Sequence, residues 1–169
     1  MGRLTEDMKR VVRQQRLGFY ATVSEDGSPN LSPKGTTAYG DASVEDLRIW
    51  DDDHLFFADI RSPQTVANIR RGSLVEVNLV DQFVRKGYRF KGPAVVYDRG
   101  SEGFSAGLER LREEGVTELL DRVRSIVVIE VQNARALISP AYDDGVTTEA
   151  DLIRFFQARF GRLLEAATS

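Results

Sequence analysis

Asp59-Ile60-Arg61-Ser62-Pro63-Gln64-Thr65-Val66-Ala67-Asn68-Ile69-Arg70-Arg71-Gly72 lies between two apolar runs and reads as one complete helix. Ser62 is a good N-cap, Pro63 falls at the first helical position, where the N–H it lacks would go unused, and Gly72 can take the left-handed conformation that ends a helix. The free donors at this start are the N–H groups of Gln64 and Thr65, joined by the hydroxyls of Ser62 and Thr65 and the guanidinium of Arg61. Such starts hold phosphates, because unpaired N–H groups and the positive end of the helix dipole converge there. A capped helix that binds nothing is the plainer alternative. Val66, Ala67 and Ile69 are expected to face inward, while Arg70 and Arg71 suit the negative end of the dipole.

Strands flank this helix on both sides. Upstream, His54 to Asp59 is one, preceded by a short alternating segment, Leu47 to Trp50, and the turn Asp51-Asp52-Asp53, whose aspartates read as a solvated loop. Downstream, Leu74 to Asp81 alternates with period two, and Tyr88 to Tyr97 reads as one long strand with a Gly92-Pro93 bulge. Arg85, Lys86, Arg89 and Lys91 are interleaved there with Tyr88 and Phe90, which puts basic groups and aromatics on opposite faces. Gly18 to Val23 and Asn30 to Gly35 form a hairpin across a turn dense in Asp, Gly, Ser and Pro. Pro33 confines the second strand to an edge or breaks it. The break carries Lys34, Gly35, Thr36 and Thr37, and a small, acidic loop follows from Ala38 to Glu45. Leu4, Met8, Val11 and Val12 define an amphipathic helix behind the cap Thr5. Ser101 to Leu120 is helical with an interruption near Gly115, Ser125 to Ile138 is a central strand, and a final amphipathic helix follows Thr147 or Thr148. Six or seven strands, mostly hairpin-connected, with helices between them, predict an α+β antiparallel barrel rather than a doubly wound fold.

Composition narrows the chemistry. The 169 residues read as a single domain, and a net charge of -3 offers no global field to recruit nucleic acid. Without cysteine there is no thiolate catalysis, disulfide or iron–sulfur cluster, and the single histidine, His54, reads as structural. Met1 to Asp7 shows no apolar core with a cleavage site and no window approaches a membrane span, so a cytoplasmic location is expected.

Gly27-Ser28-Pro29-Asn30-Leu31-Ser32-Pro33-Lys34-Gly35, then His54 to Asp59 leading into Ser62 to Arg71, then Val75 to Val80, resembles the pyridoxamine 5′-phosphate oxidase-like, FMN-binding split-barrel family. The resemblance covers residues 16–97 and extends in topology to Ile138. It implies a six-stranded split barrel in a homodimer, with two FMN molecules at the subunit interface. On it, Arg61, Ser62, Gln64 and Thr65 hold the flavin phosphate. Ser32, Pro33, Lys34 and Gly35 lie beside the isoalloxazine, with Phe57, Ala58 and Asp59 beneath it and Lys34 toward the pyrimidine side.

Two departures limit what carries over. Pyridoxamine phosphate oxidases have an Arg-Lys pair directly after the serine of the phosphate turn, where this chain has Pro63-Gln64. They also carry a C-terminal arginine-rich substrate signature that is missing from residues 139–169. The expectation is therefore a flavin-dependent oxidoreductase with a small-molecule substrate other than vitamin B6, helped by a nicotinamide or another small partner. An F420-dependent reductase on the same fold, or a non-catalytic flavin or haem carrier or redox sensor, are the alternatives.

Overall fold

The computed structural model describes residues 2–35 and 44–168. Thr36, Thr37 and the acidic loop as far as Ser43 lie outside the described residues. In chain order the elements are α1 (Glu6–Gln14), β1 (Gly18–Val23), β2 (Pro29–Lys34), β3 (Arg48–Ile49), β4 (His54–Asp59), α2 (Pro63–Arg70), β5 (Val75–Asp81), β6 (Lys86–Gly92), β7 (Ala94–Asp98), α3 (Glu102–Glu113), β8 (Ser125–Glu130), β9 (Asn133–Ile138) and α4 (Glu149–Thr168). The strands form two antiparallel sheets, ordered β2-β1-β5-β6-β9 and β3-β4-β8-β7. This is the α+β, split-barrel type of fold that the sequence predicts, with nine strands among the described residues in place of the six or seven expected.

The extra strands come from two segments that change sheets. Residues 88–97 do not run as one bulged strand. They leave the first sheet at Gly92, pass Pro93, which cannot donate to a ladder, and enter the second as β7. Residues 125–138 divide likewise at Val131-Gln132, so only β8 is central and β9 is an exposed edge. The two corners lie against each other, with Glu130 N–H donating to the Pro93 carbonyl and Gln132 N–H to the Lys91 carbonyl, both at 2.9 Å.

Burial follows from this layering. β1 and β5 alternate between buried and accessible residues, as strands with one solvated face do. β4 and β8 are covered on both faces and are apolar almost throughout. Tyr20, Val77, Leu79 and Phe90 of the first sheet meet Leu55, Phe57, Val127 and Ile129 of the second in one core, closed by Val11 and Val12 of α1. Phe56, Ala58, Ile126 and Val128 turn the other way and pack under Phe104 and Leu111 of α3. The last helix, α4, touches the rest through Phe83 on Phe160, Arg85 stacked on Phe156 and Lys86 paired with Glu149. No helix among the described residues is long and apolar enough to cross a membrane.

Candidate functional site

The end of β2, the end of β4 and the start of α2 converge at one corner of the first sheet. β2 is an edge strand, as Pro33 requires, but it is unbroken through Lys34. Its proline sits opposite Phe19 and faces outward, whereas Lys34, paired with Gly18, points into the protein. Ser62 occupies the N-cap position of α2 but makes no capping bond with its side chain. Its hydroxyl accepts from the Lys34 ammonium instead, and its N–H donates to the Asp59 carboxylate at 2.8 Å. Lys34, expected beside the ring of a bound cofactor, is thus an interior residue only 1% exposed, with its ammonium 4.7 Å from the centre of the Phe57 ring. Burial pushes its pKa down, against the opposing pull of Asp59 and Glu45. Nearby Tyr20 is fully buried, and its hydroxyl has no hydrogen-bond partner among the described residues.

The inner face of α2 combines the expected apolar packing of Ile69 and Val66 with two buried polar residues. Thr65 and Asn68, one turn apart, are the residues that face the sheet, with Ile69 beside them. The Asn68 amide donates to the Thr22 hydroxyl at 3.0 Å, and its carbonyl accepts from Gln64 at 2.8 Å and Arg71 at 2.7 Å. Asn30 of β2 donates to both Thr22 and Thr65, at 3.0 and 3.2 Å. The helix is therefore fastened to the β1–β2 hairpin by side-chain amides. Asn68 was legible only as part of the helix. Its spacing of three from Thr65 places two polar groups on one face, and that was the available signal.

Of the eleven residues singled out by sequence, Lys34, Asp59 and Ser62 are in direct contact or electrostatically coupled, and Phe57 lies under the Lys34 ammonium. Ala58 faces the α3 side of β4, away from this cluster. Ser32 and Gly35 are half-buried, and Pro33, Arg61 and Gln64 are exposed. Thr65 is buried, with its hydroxyl committed to Asn30. The first main-chain bond of α2 runs from Val66 N–H to the Ser62 carbonyl, which leaves the N–H groups of Gln64 and Thr65 without a partner among the described residues, with the Arg61 side chain exposed beside them. Arg70 pairs with Asp98 at 2.5 Å at the other end of the helix. His54 binds Asp51 through Nδ1 at 2.8 Å on the hairpin turn.

No curated protein sequence matches the chain at a significant level. Among solved structures, HupZ from Group A Streptococcus is 27% identical, with a TM-score of 0.63, over 80% of this chain and 94% of that one. The heme storage protein HutZ from Vibrio cholerae matches at 16% identity and a TM-score of 0.59, over 80% and 94% of the two chains. An FMN-binding protein from Syntrophomonas wolfei matches at 16% and 0.56, over 79% and 85%. The family model for pyridoxamine 5′-phosphate oxidase matches residues 4–137, from two residues before α1 to the penultimate residue of β9. The chain thus belongs to the pyridoxamine 5′-phosphate oxidase family.

Proposed function

We propose that the protein is an FMN-binding flavoprotein, active as a homodimer, that carries out oxidoreduction on a small organic molecule. The observation that carries this reading is the contact between Lys34 and Ser62. It joins the strand proposed to lie beside the isoalloxazine to the helix start proposed to hold the flavin phosphate. The residues fit the group: the open N–H donors of Gln64 and Thr65 and the exposed Arg61 suit a phosphate. Phe19, Val23 and Leu31, exposed on the outer face of β1 and β2, give an apolar surface for a second copy. A flavin held here would supply the two-electron chemistry itself. The chain contributes positioning: Asp59 fixes the Ser62 main chain, Lys34 offsets the Asp59 charge, and Asn68 fastens α2 to β1.

Vitamin B6 oxidation is not the proposed reaction, because Pro63-Gln64 replaces the Arg-Lys pair after the phosphate-turn serine. Nor is haem carriage through a histidine ligand, because His54, the sole histidine, stands at the opposite end of β4 from Asp59 and the start of α2. The test is to purify the protein, record its visible spectrum and identify the released chromophore by mass spectrometry. A flavin spectrum and the mass of FMN support the reading. A colourless protein that fails to take up added FMN overturns it, and uptake of F420 in place of FMN moves the assignment to the deazaflavin.

A further inference from the structure

The outer face of the first sheet carries a cluster of charge that the flavin reading leaves unused. Along β6 the side chains alternate, so that Tyr88 and Phe90 turn to the core and Arg89 and Lys91 turn outward. Antiparallel register sets Arg89 directly opposite Arg135 of β9, and Lys91 opposite Asn133. On the other side, Lys91 faces Glu76 of β5. Glu76, Arg89, Lys91, Asn133 and Arg135 line a single concavity of about 230 Å³.

Glu76 is the one carboxylate lining it, 2.8 Å from the Lys91 ammonium and 3.5 Å from the Arg89 guanidinium. Three cations against one carboxylate leave a surplus of two positive charges. The Arg135 side chain has no hydrogen bond or ion pair among the described residues, and the Nε of Arg89 is shielded from solvent with no partner among them. Like charges directly opposite one another on neighbouring strands destabilise a sheet. An arginine pair in register, with a donor left open, is therefore a cost in the unliganded chain.

We propose that this cradle is an anion site for the phosphate group of a small-molecule ligand, distinct from the start of α2. Arg89 and Arg135 supply two guanidinium forks, which match phosphate oxygens bidentately, and Lys91 acts as a point charge held in place by Glu76. The surplus of two charges equals that of a phosphate dianion, and the Asn133 side chain offers a neutral donor at the rim. The cradle lies on the outer face of the sheet, whereas Thr22 and Lys34, which hold α2, face inward.

Thermal melts and calorimetric titration of the full chain with inorganic phosphate, against chloride at matched ionic strength, test the proposal. Phosphate should raise the melting temperature of the wild type saturably. Arg135→Gln, on an exposed edge strand, should melt no lower than wild type in chloride, lose the phosphate-specific increment and bind phosphate at least about tenfold more weakly. Equal increments in the two proteins overturn the site. FMN affinity should be the same in Arg135→Gln as in wild type. A loss of FMN matching the loss of phosphate would mean that the cradle holds the flavin's own phosphate, and would overturn the assignment of a separate site.

Discussion

The Lys34 ammonium donates to the Ser62 hydroxyl inside the protein, linking the edge strand β2 to the start of α2 across 28 positions of sequence. Burial lowers the Lys34 pKa from 10.5, which sets the sign of a pH effect. Between the folded pKa and 10.5 the unfolded chain binds more protons than the native one, so stability rises with pH across that window. The cost of a charged Lys34 is full below the window and gone above it. Lys34→Met lacks this dependence, so the stability of wild type relative to the variant should climb as pH is raised through the alkaline range toward 10.5. Urea melts of both proteins across that range check it, and a constant difference would show that Lys34 titrates as it does in the unfolded chain.

Asn68 holds α2 to the hairpin with both ends of its amide. Removing it leaves the buried side of the helix without its donor to Thr22 and without its acceptor for Gln64 and Arg71. Asn68→Ala should cost about 2–3 kcal/mol, the range expected when buried polar groups lose their partners. Asn68→Leu should cost at least as much, since it also forces a branched apolar group among polar ones. A loss below about 0.5 kcal/mol in denaturant melts would show that water replaces the amide without penalty.

The fold was legible where the pattern was local. Ser62, Pro63 and Gly72 mark the ends of α2, alternation marks β5, and Thr5 does cap α1, accepting from Met8 N–H at 3.3 Å. What could not be read was where a strand changes sheets, because Gly92-Pro93 and Val131-Gln132 interrupt runs whose residues suit a strand on either side. The fate of Lys34 was equally hidden. Lysine at a strand end ordinarily reaches solvent, and it is the distant Asp59, Ser62 and Glu45 that make burial tolerable. The basic cluster of β6 was visible, but Lys86 lies on the face of Tyr88, Arg85 sits in the turn with a φ of 56°, and Arg135 joins from a strand 44 residues on. Cross-strand register is long-range information, absent from any one segment.

Gly35 and Gly27 share a positive φ, 87° and 82°, but differ in surroundings. A Cβ on Gly35 would fall 1.5 Å from the Arg16 carbonyl oxygen, a main-chain atom that cannot step aside, whereas one on Gly27 meets nothing within 4 Å. Gly27→Ala should therefore show only the left-handed backbone cost, about 1–2 kcal/mol. Gly35→Ala should exceed that by several-fold or abolish folding, because β2 and the end of α1 would have to part. Comparable melting temperatures for the two variants would show that the Arg16 segment yields.

Arg61 and Arg70 stand at opposite ends of α2 and provide an internal control for the flavin phosphate. Arg61 is exposed beside the open N–H groups of Gln64 and Thr65, where the helix dipole is positive. Arg70 lies in the last turn, where the dipole is negative, and its guanidinium is already held by Asp98. Thr65 is a poorer probe, because its hydroxyl accepts from Asn30 and its loss would loosen the helix. Arg61→Ala should weaken FMN binding about tenfold, the worth of one charge-assisted contact to phosphate. Arg70→Ala should leave it within about twofold, since an exposed ion pair contributes little. Fluorescence titration of apoprotein with FMN measures both. If Arg70→Ala loses the flavin while Arg61→Ala keeps it, the phosphate is not at the start of α2.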